Sequence, residues 1–241
     1  ANRTSTNDLT QYEGLYVPDV RNLLSTKYPA GKVYNLILGD MTWDAYWYTN
    51  GFGPAEYKDR IKDFPVTIFH TMGNHDNDPS RSGDFECEAK YKKELGPTYY
   101  SFNLGKVHYV VLDNIIYKND TGLHDFDAAI TQEQIDWLKK DLALVADKPS
   151  PLMVALHVPA YRLSGNDGGS LTVVSNMQAS SVSALKSCFT DFDDVQYLSG
   201  HTHRNYHLQA EPNKMEHHIA AICATWWWTG FLGFSNMCTD G

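Results

Sequence analysis

Short apolar runs that break off at polar, metal-binding side chains recur along this chain. Residues 33–38 stop at Gly39-Asp40, residues 66–72 at Gly73-Asn74-His75-Asp76, Leu152–Leu156 at His157, and residues 195–198 at Ser199-Gly200-His201-Thr202-His203. Short apolar stretches closed by glycine or polar residues read as buried strands, so each strand delivers a carboxylate, an amide or an imidazole from its carboxyl end. Between them the period lengthens. Val20, Leu23, Leu24 and Tyr28 fall at helical spacing after Val17-Pro18, and Ile135, Leu138, Leu142 and Val145 do so after the helix entry Thr131-Gln132-Glu133-Gln134. Shorter helices are expected over 86–94 and around 181–189, a β-hairpin over 99–104 and 107–113, and a strand-rich tail over 206–224. Strands alternating with helices predict an α/β fold. In open α/β sheets, sites gather outside the carboxyl ends of strands, where residues distant in sequence meet at one edge.

Composition narrows the partners. Against 29 Asp and Glu stand 20 Lys and Arg, a formal charge of −9 that argues against a broad basic face for nucleic acid. The most apolar stretch, 219–234, is interrupted by Thr and Gly and is shorter than the roughly 20 residues that cross a bilayer, so no membrane span is expected. The start, Ala1-Asn2-Arg3-Thr4-Ser5, lacks the basic and apolar regions of a signal peptide. A trimmed mature chain would begin the same way, so location stays open, a secreted or periplasmic one being favoured if the chain is trimmed. Cys87, Cys188, Cys223 and Cys238 have no zinc-type spacing, and three disulfide pairings as well as free thiols stay open. With no internal repeat, residues 1–241 read as a single domain, clipped at both ends, with additional domains outside this stretch.

A carboxylate, an amide oxygen and imidazoles suit a divalent ion such as Mn²⁺, Fe²⁺, Zn²⁺ or Ni²⁺, and the mixture fits hydrolytic sites better than Cys-rich structural ones. A carboxylate can also bridge two ions, and a pair roughly 3.5–4 Å apart can clamp attacking and leaving oxygens at phosphorus. Gly39-Asp40, Gly73-Asn74-His75-Asp76, His157 and Gly200-His201-Thr202-His203 resemble, in order and spacing, the motifs of the calcineurin-like metallophosphoesterases. The resemblance spans about residues 33–203. It implies a four-layer αββα sandwich of two mixed β-sheets flanked by helices, with two divalent metal ions at one sheet edge. Asp40 would bridge the ions; Asn74, His157 and His201 would complete the second ion's site, and His203 would belong to the first. His75 would protonate the leaving oxygen or donate a hydrogen bond to the phosphoryl group, with Asp76 orienting it, while a metal-held hydroxide attacks phosphorus in a small-molecule phosphate monoester or diester.

One motif of that family is not found here. A strand ending in D-x-H or D-x-Q opens the family and supplies two ligands, and none precedes Gly39-Asp40; Asn7-Asp8-Leu9 and Pro18-Asp19-Val20 follow no apolar strand. The expectation is a chain clipped just after that strand, the first ion keeping Asp40 and His203 alone, so that one ion rather than two is an alternative. The rival reading is a catalytically silent binding module of the same fold that holds a sugar or a protein partner on an aromatic rim. Tyr46-Trp47-Tyr48 and Trp226-Trp227-Trp228 are the candidates for that rim. The glycine-rich stretch after Arg162, through residue 170, reads as a loop, and His108, His124, His207, His217 and His218 read as structural.

Overall fold

A computed structural model describes residues 12–222, apart from 121, 123, 147, 149 and 166–168, together with the backbone of 227–228 and 237–238. Cys223, the side chains of Trp226-Trp227-Trp228 and Cys238, Asn7-Asp8-Leu9 and the tip of the stretch after Arg162 therefore lie outside the described residues. Among those described, Cys87 and Cys188 are free thiols.

Among the described residues, a π-helical turn (Tyr12–Tyr16) leads into α1 (Val17–Thr26), and a 3-10 turn (Ala30–Lys32) into β1 (Asn35–Ile37), α2 (Asp44–Trp47), α3 (Pro54–Ile61) and β2 (Ile68–His70). After another 3-10 turn at Asn74–Asp76 come α4 (Asp84–Cys87), α5 (Ala89–Leu95) and the hairpin β3 (Tyr100–Leu104) and β4 (Val107–Val111). The strands β5 (Ile115–Lys118) and β6 (Asp125–Ala128) form a second hairpin, followed by α6 (Gln132–Ala143) and β7 (Leu152–Leu156). Next are β8 (Tyr161–Gly165), β9 (Leu171–Ser175), α7 (Ala179–Cys188), β10 (Val195–Ser199), β11 (Tyr206–Glu211) and β12 (Lys214–His218). Two short paired strands, β13 (Trp227–Trp228) and β14 (Met237–Cys238), come last.

The main sheet has six strands in the order β11-β12-β10-β7-β4-β3. Its middle pairs, β12–β10, β10–β7 and β7–β4, are parallel, and its two outer pairs are antiparallel. Buried on both faces, β7 reads as a nearly continuous apolar run, as parallel strands do. Helix α6 forms where the spacing predicts: the Thr131 hydroxyl accepts the Gln134 N–H, capping the first turn, and Ile135, Leu138 and Leu142 turn inward. With Val182 and Leu185 of α7 they close a core over Val110, Leu152, Val154, Val195 and Tyr197 of the sheet. Fully burying each such aliphatic side chain contributes about 1.5–3 kcal/mol.

The second sheet is, among the described residues, the parallel pair β1–β2, in register Asn35 with Ile68 through Ile37 with His70. Its helical side is a smaller core of Met41, Phe52, Tyr57, Met72 and Tyr91, with Ile61 and Leu95 from α3 and α5 against it. Its other attachment is aromatic. Phe69 stacks on Phe102 of β3 at 3.8 Å between centroids, Phe102 on Tyr109 of β4 at 5.0 Å, and the Tyr100 hydroxyl bonds the main chain of His70. Helices, large mixed sheet, small sheet and helices thus follow in the expected order, the second sheet being, among the described residues, narrow and parallel rather than mixed. The stretch after Arg162, expected as a loop, departs from the sequence reading: Tyr161–Gly165 pairs antiparallel with Leu171–Ser175 as a hairpin, with Arg162 exposed.

Candidate metal and catalytic site

The parallel pairs β1–β2 and β7–β10 end at one edge, and a hydrogen bond joins them there. His157, just past β7, donates from Nδ1 to the Leu38 carbonyl, just past β1, at 2.6 Å. A carbonyl only accepts, so this contact fixes a proton on Nδ1 and leaves Nε2 as the atom that can bind an ion once it gives up its proton; burial opposes a charge on this ring, but the Asp40 carboxylate and its hydrogen bond raise the pKa above the ordinary histidine value. Around Nε2 stand Asn74 Oδ1 at 3.0 Å, His201 Nδ1 at 3.2 Å and Asp40 Oδ2 at 3.3 Å, and His201 Nδ1 lies 3.1 Å from Asn74 Oδ1. The donor atoms of Asp40, His157 and His201 all fall within 4.8 Å of one another. Four sequence-predicted ligands from four strand ends are therefore brought together, and imidazole nitrogens converging with amide and carboxylate oxygens fit a borderline divalent ion.

His203 lines the same cavity of about 150 Å³ as Asp40, His157 and His201, between the β1 backbone and residues Ile219–Ile222, but it is not one of the three whose donor atoms converge. The electrostatics favour ready donors at Asp40, His201 and His203. Burial would raise the Asp40 carboxyl, but the charge and hydrogen bond of His157, with His75 and His201, hold it well below the usual carboxylate range. Burial and the neighbouring His157 push His201 down to about 3, and burial lowers His203 as well, which favours the neutral form of both imidazoles.

The backbone is strained where the donors sit. Asp40, His201 and His203 have φ of 55°, 57° and 56°, a left-handed conformation that costs non-glycine residues about 1–3 kcal/mol each. Two glycines admit this crowding: a Cβ on Gly73 would lie 2.3 Å from the Asp40 nitrogen and 2.4 Å from its Oδ1, and one on Gly39 would lie 2.2 Å from His157 Nδ1.

His75 flanks the cluster. Its main-chain N–H donates to Asp40 Oδ1 at 3.1 Å, and its ring Nδ1 bonds Asp44 Oδ1 at 2.9 Å. Burial opposes a charge on this ring, but the Asp44 hydrogen bond and the Asp40, Asp44 and Asp76 carboxylates raise its pKa above the ordinary histidine value. Here the structure corrects the sequence reading: Asp76 does not orient the ring. Its Oδ1 accepts the Thr42 N–H and hydroxyl, both at 2.9 Å, and its Oδ2 accepts the Gly73 N–H at 2.9 Å, so it braces the backbone of the Gly-Asn-His-Asp turn. Burial and the Asp40 charge raise that carboxyl to about 6.

The residue holding His75 is Asp44, buried and overlooked in the sequence. It also accepts from the Ala45 N–H, from the Tyr117 hydroxyl at 3.0 Å and from His124 Nδ1 at 3.1 Å. His124, read as structural, is thus part of the network around the site. A lone Asp four residues beyond Asp40 gives no motif that would have revealed it. The aromatic rim is revised too: Trp47 is buried with its indole N–H on Thr42, and the Tyr48 hydroxyl is engaged by Asp78 and Ser80, whereas Trp43 lies edge-on to His75 at 5.8 Å and against Tyr46 at 4.9 Å.

Comparisons with known proteins give the family of the chain. The calcineurin-like phosphoesterase family matches residues 16–205. Purple acid phosphatase 23 of Arabidopsis thaliana is 35% identical over 98 residues, covering 37% of this chain and 19% of that relative, so this chain spans about a fifth of its length. In fold, the chain is similar to a dimetal phosphatase from Danio rerio, with a TM-score of 0.60 and 12% identity over 87% of this chain and 78% of the other. It is also similar to PhoD, with a TM-score of 0.50 and 13% identity over 78% of this chain and 51% of the other. Among the described residues no helix is long and apolar enough to cross a membrane. With the candidate ligands gathered at one sheet edge and the family matching residues 16–205, this chain belongs to the calcineurin-like phosphoesterases.

Proposed function

We propose that this chain hydrolyses small-molecule phosphoric esters with the help of divalent metal ions. The observation that carries the reading is the convergence of Asn74 Oδ1, His157 Nε2, His201 Nδ1 and Asp40 Oδ2 on one point. Asp40, Asn74, His157 and His201 would hold one ion, and Asp40 with His203 would contribute to a second. When bound, such ions supply Lewis acidity that makes water nucleophilic near neutral pH and offsets charge on the phosphoryl oxygens.

The chain's own contribution is placement and a proton. His157 is locked by Leu38, and Asn74 and Asp40 are set by the glycine-bearing turns, so little reorganisation is needed around the phosphoryl group. His75 is the general acid. As the bond from phosphorus to the leaving oxygen breaks and one from phosphorus to the water oxygen forms, protonated His75 gives its Nε2 proton to the leaving oxygen. Asp44 accepts from Nδ1, which leaves Nε2 to carry the transferable proton and favours the charged ring. Trp43, edge-on to that ring and packed against Tyr46, would border the leaving group.

The test is hydrolysis of p-nitrophenyl phosphate and bis-p-nitrophenyl phosphate by the metal-loaded chain, with Asn74→Ala and His157→Ala beside it. Turnover of at least one ester, abolished in both variants together with bound metal, supports the reading; turnover that survives loss of the metal contradicts it.

A further inference from the structure

Strand β12 buries polar groups where a core strand would place apolar ones. Lys214, Glu216 and His218 alternate inward with 5%, 0% and 0% exposure. Lys214 is accounted for by its 2.7 Å ion pair with Glu211. The other two reach the turns that carry the metal-binding histidines. Glu216 accepts the Ala160 N–H at 2.9 Å on one oxygen and the Tyr161 N–H at 2.6 Å on the other, at the end of the turn that begins with His157. His218 Nε2 donates to the Tyr161 carbonyl at 3.0 Å, which fixes its proton there and leaves Nδ1 to accept the Thr202 hydroxyl at 3.2 Å. Thr202 lies between His201 and His203, both of which have left-handed backbone. The Tyr206 ring stacks on His218 at 4.1 Å and holds its plane.

We propose that Glu216, His218 and Thr202 are positioning residues, a clamp across β12 that sets His157 against His201 and His203 and thereby sets the affinity of the site for its ion. Two adjacent strands, β7 and β10, deliver these histidines on separate turns, and β12 lies beside β10, bonding both turns at once. Buried polar groups are costly unless fully bonded, and these are bonded to the two turns whose spacing determines the ligand set. Burial lowers the His218 pKa to about 4, in keeping with a neutral ring of fixed tautomer. The strain at His201 and His203 needs an outside restraint, and the Thr202 hydroxyl bond is placed to provide it.

The inference rests on the metal-binding part of the proposed function, so its readout is Mn²⁺ binding rather than turnover. Calorimetric titration of Mn²⁺ into the full chain is compared among wild type, Thr202→Val, Thr202→Ser and His218→Gln, each checked for native circular dichroism. Thr202→Val, which keeps the shape and removes the hydroxyl, is expected to weaken Mn²⁺ binding about tenfold or more, while Thr202→Ser stays within about twofold of wild type. His218→Gln, which cannot reach both turns as a rigid ring does, is expected to weaken it similarly. Wild-type affinity in Thr202→Val and His218→Gln overturns the clamp, as does an equal loss in Thr202→Val and Thr202→Ser, and a wild-type chain that binds no Mn²⁺ overturns it too. Normal Mn²⁺ binding without ester hydrolysis would instead count against the phosphoesterase reading while the clamp is judged by the variants.

Discussion

Replacing Asp44 by Asn takes one negative charge from a buried position that accepts from His75 Nδ1, Ala45 N, the Tyr117 hydroxyl and His124 Nδ1, at 2.9 to 3.1 Å. An amide offers one acceptor oxygen and two N–H donors, so at least one side of this ring of donors faces another donor. A hydrogen bond to a charged partner is worth about 1.5–3 kcal/mol. Charged to the step in which His75 acts as acid, that corresponds to a loss of about 10- to 150-fold in kcat. The sign with pH follows from the same contact. Burial works against a charged His75, and Asp44 is the leading influence raising its pKa. A general acid works while protonated, so activity falls as pH rises through that pKa. Asp44→Asn lowers it, and the alkaline limb of the pH profile moves to lower pH. The assay is kcat and kcat/KM for p-nitrophenyl phosphate against pH, with bound metal measured on the same samples. Tyr117→Phe, which leaves the Asp44 charge in place, is expected to shift the limb far less. An Asp44→Asn profile that superimposes on wild type, with kcat within about twofold, would refute the dyad.

Three further outcomes are expected. His75→Ala should lower kcat about 10²- to 10⁴-fold while metal content stays at the wild-type level; equal loss of metal would make His75 a ligand. Gly73→Ala pushes a Cβ to 2.3 Å from the Asp40 backbone nitrogen, and because neither atom is a flexible side-chain end the Asp40 turn must shift; metal affinity should fall, and unchanged affinity would show that the turn has room to give. Burial raises the Glu216 carboxyl from its ordinary 4.5 to about 8, so its contribution to stability is fully present below pH 4.5 and is lost as pH rises through 8. Glu216→Gln cannot ionise, so the stability advantage of wild type over it, followed by urea unfolding, should shrink across that range; a difference constant with pH would contradict the buried carboxylic acid.

Features that follow from local pattern were legible in the sequence, and those that depend on side-chain direction across the fold were not. Helix α6 has its cap at Thr131 and its inward face at Ile135, Leu138 and Leu142, because capping and 3.6-residue spacing are local properties. The strand ends carrying Asp40, Asn74, His157 and His201 were marked by apolar runs stopping at glycine or at the ligand itself, and they meet because parallel strands expose their carboxyl ends together. Asp76 was misassigned because adjacent residues of a 3-10 turn point different ways: His75 faces Asp44 while Asp76 faces Thr42 and Gly73. Asp44 and His124 are 80 residues apart and carry no motif, so only the folded chain places them on one contact. Glu216 was not singled out, and His218 was read only as structural, for a related reason. A polar strand alternates in the same way whether its charged face meets solvent or the backbone of two buried turns.

The most direct measurement is the metal content of the chain by elemental mass spectrometry after loading with Mn²⁺ and desalting, in wild type and in Asn74→Ala and His157→Ala. A site built from Asp40, Asn74, His157 and His201 requires at least one ion per chain in wild type and its loss in both variants; a wild-type chain that retains none, or variants that retain as much as wild type, would contradict it.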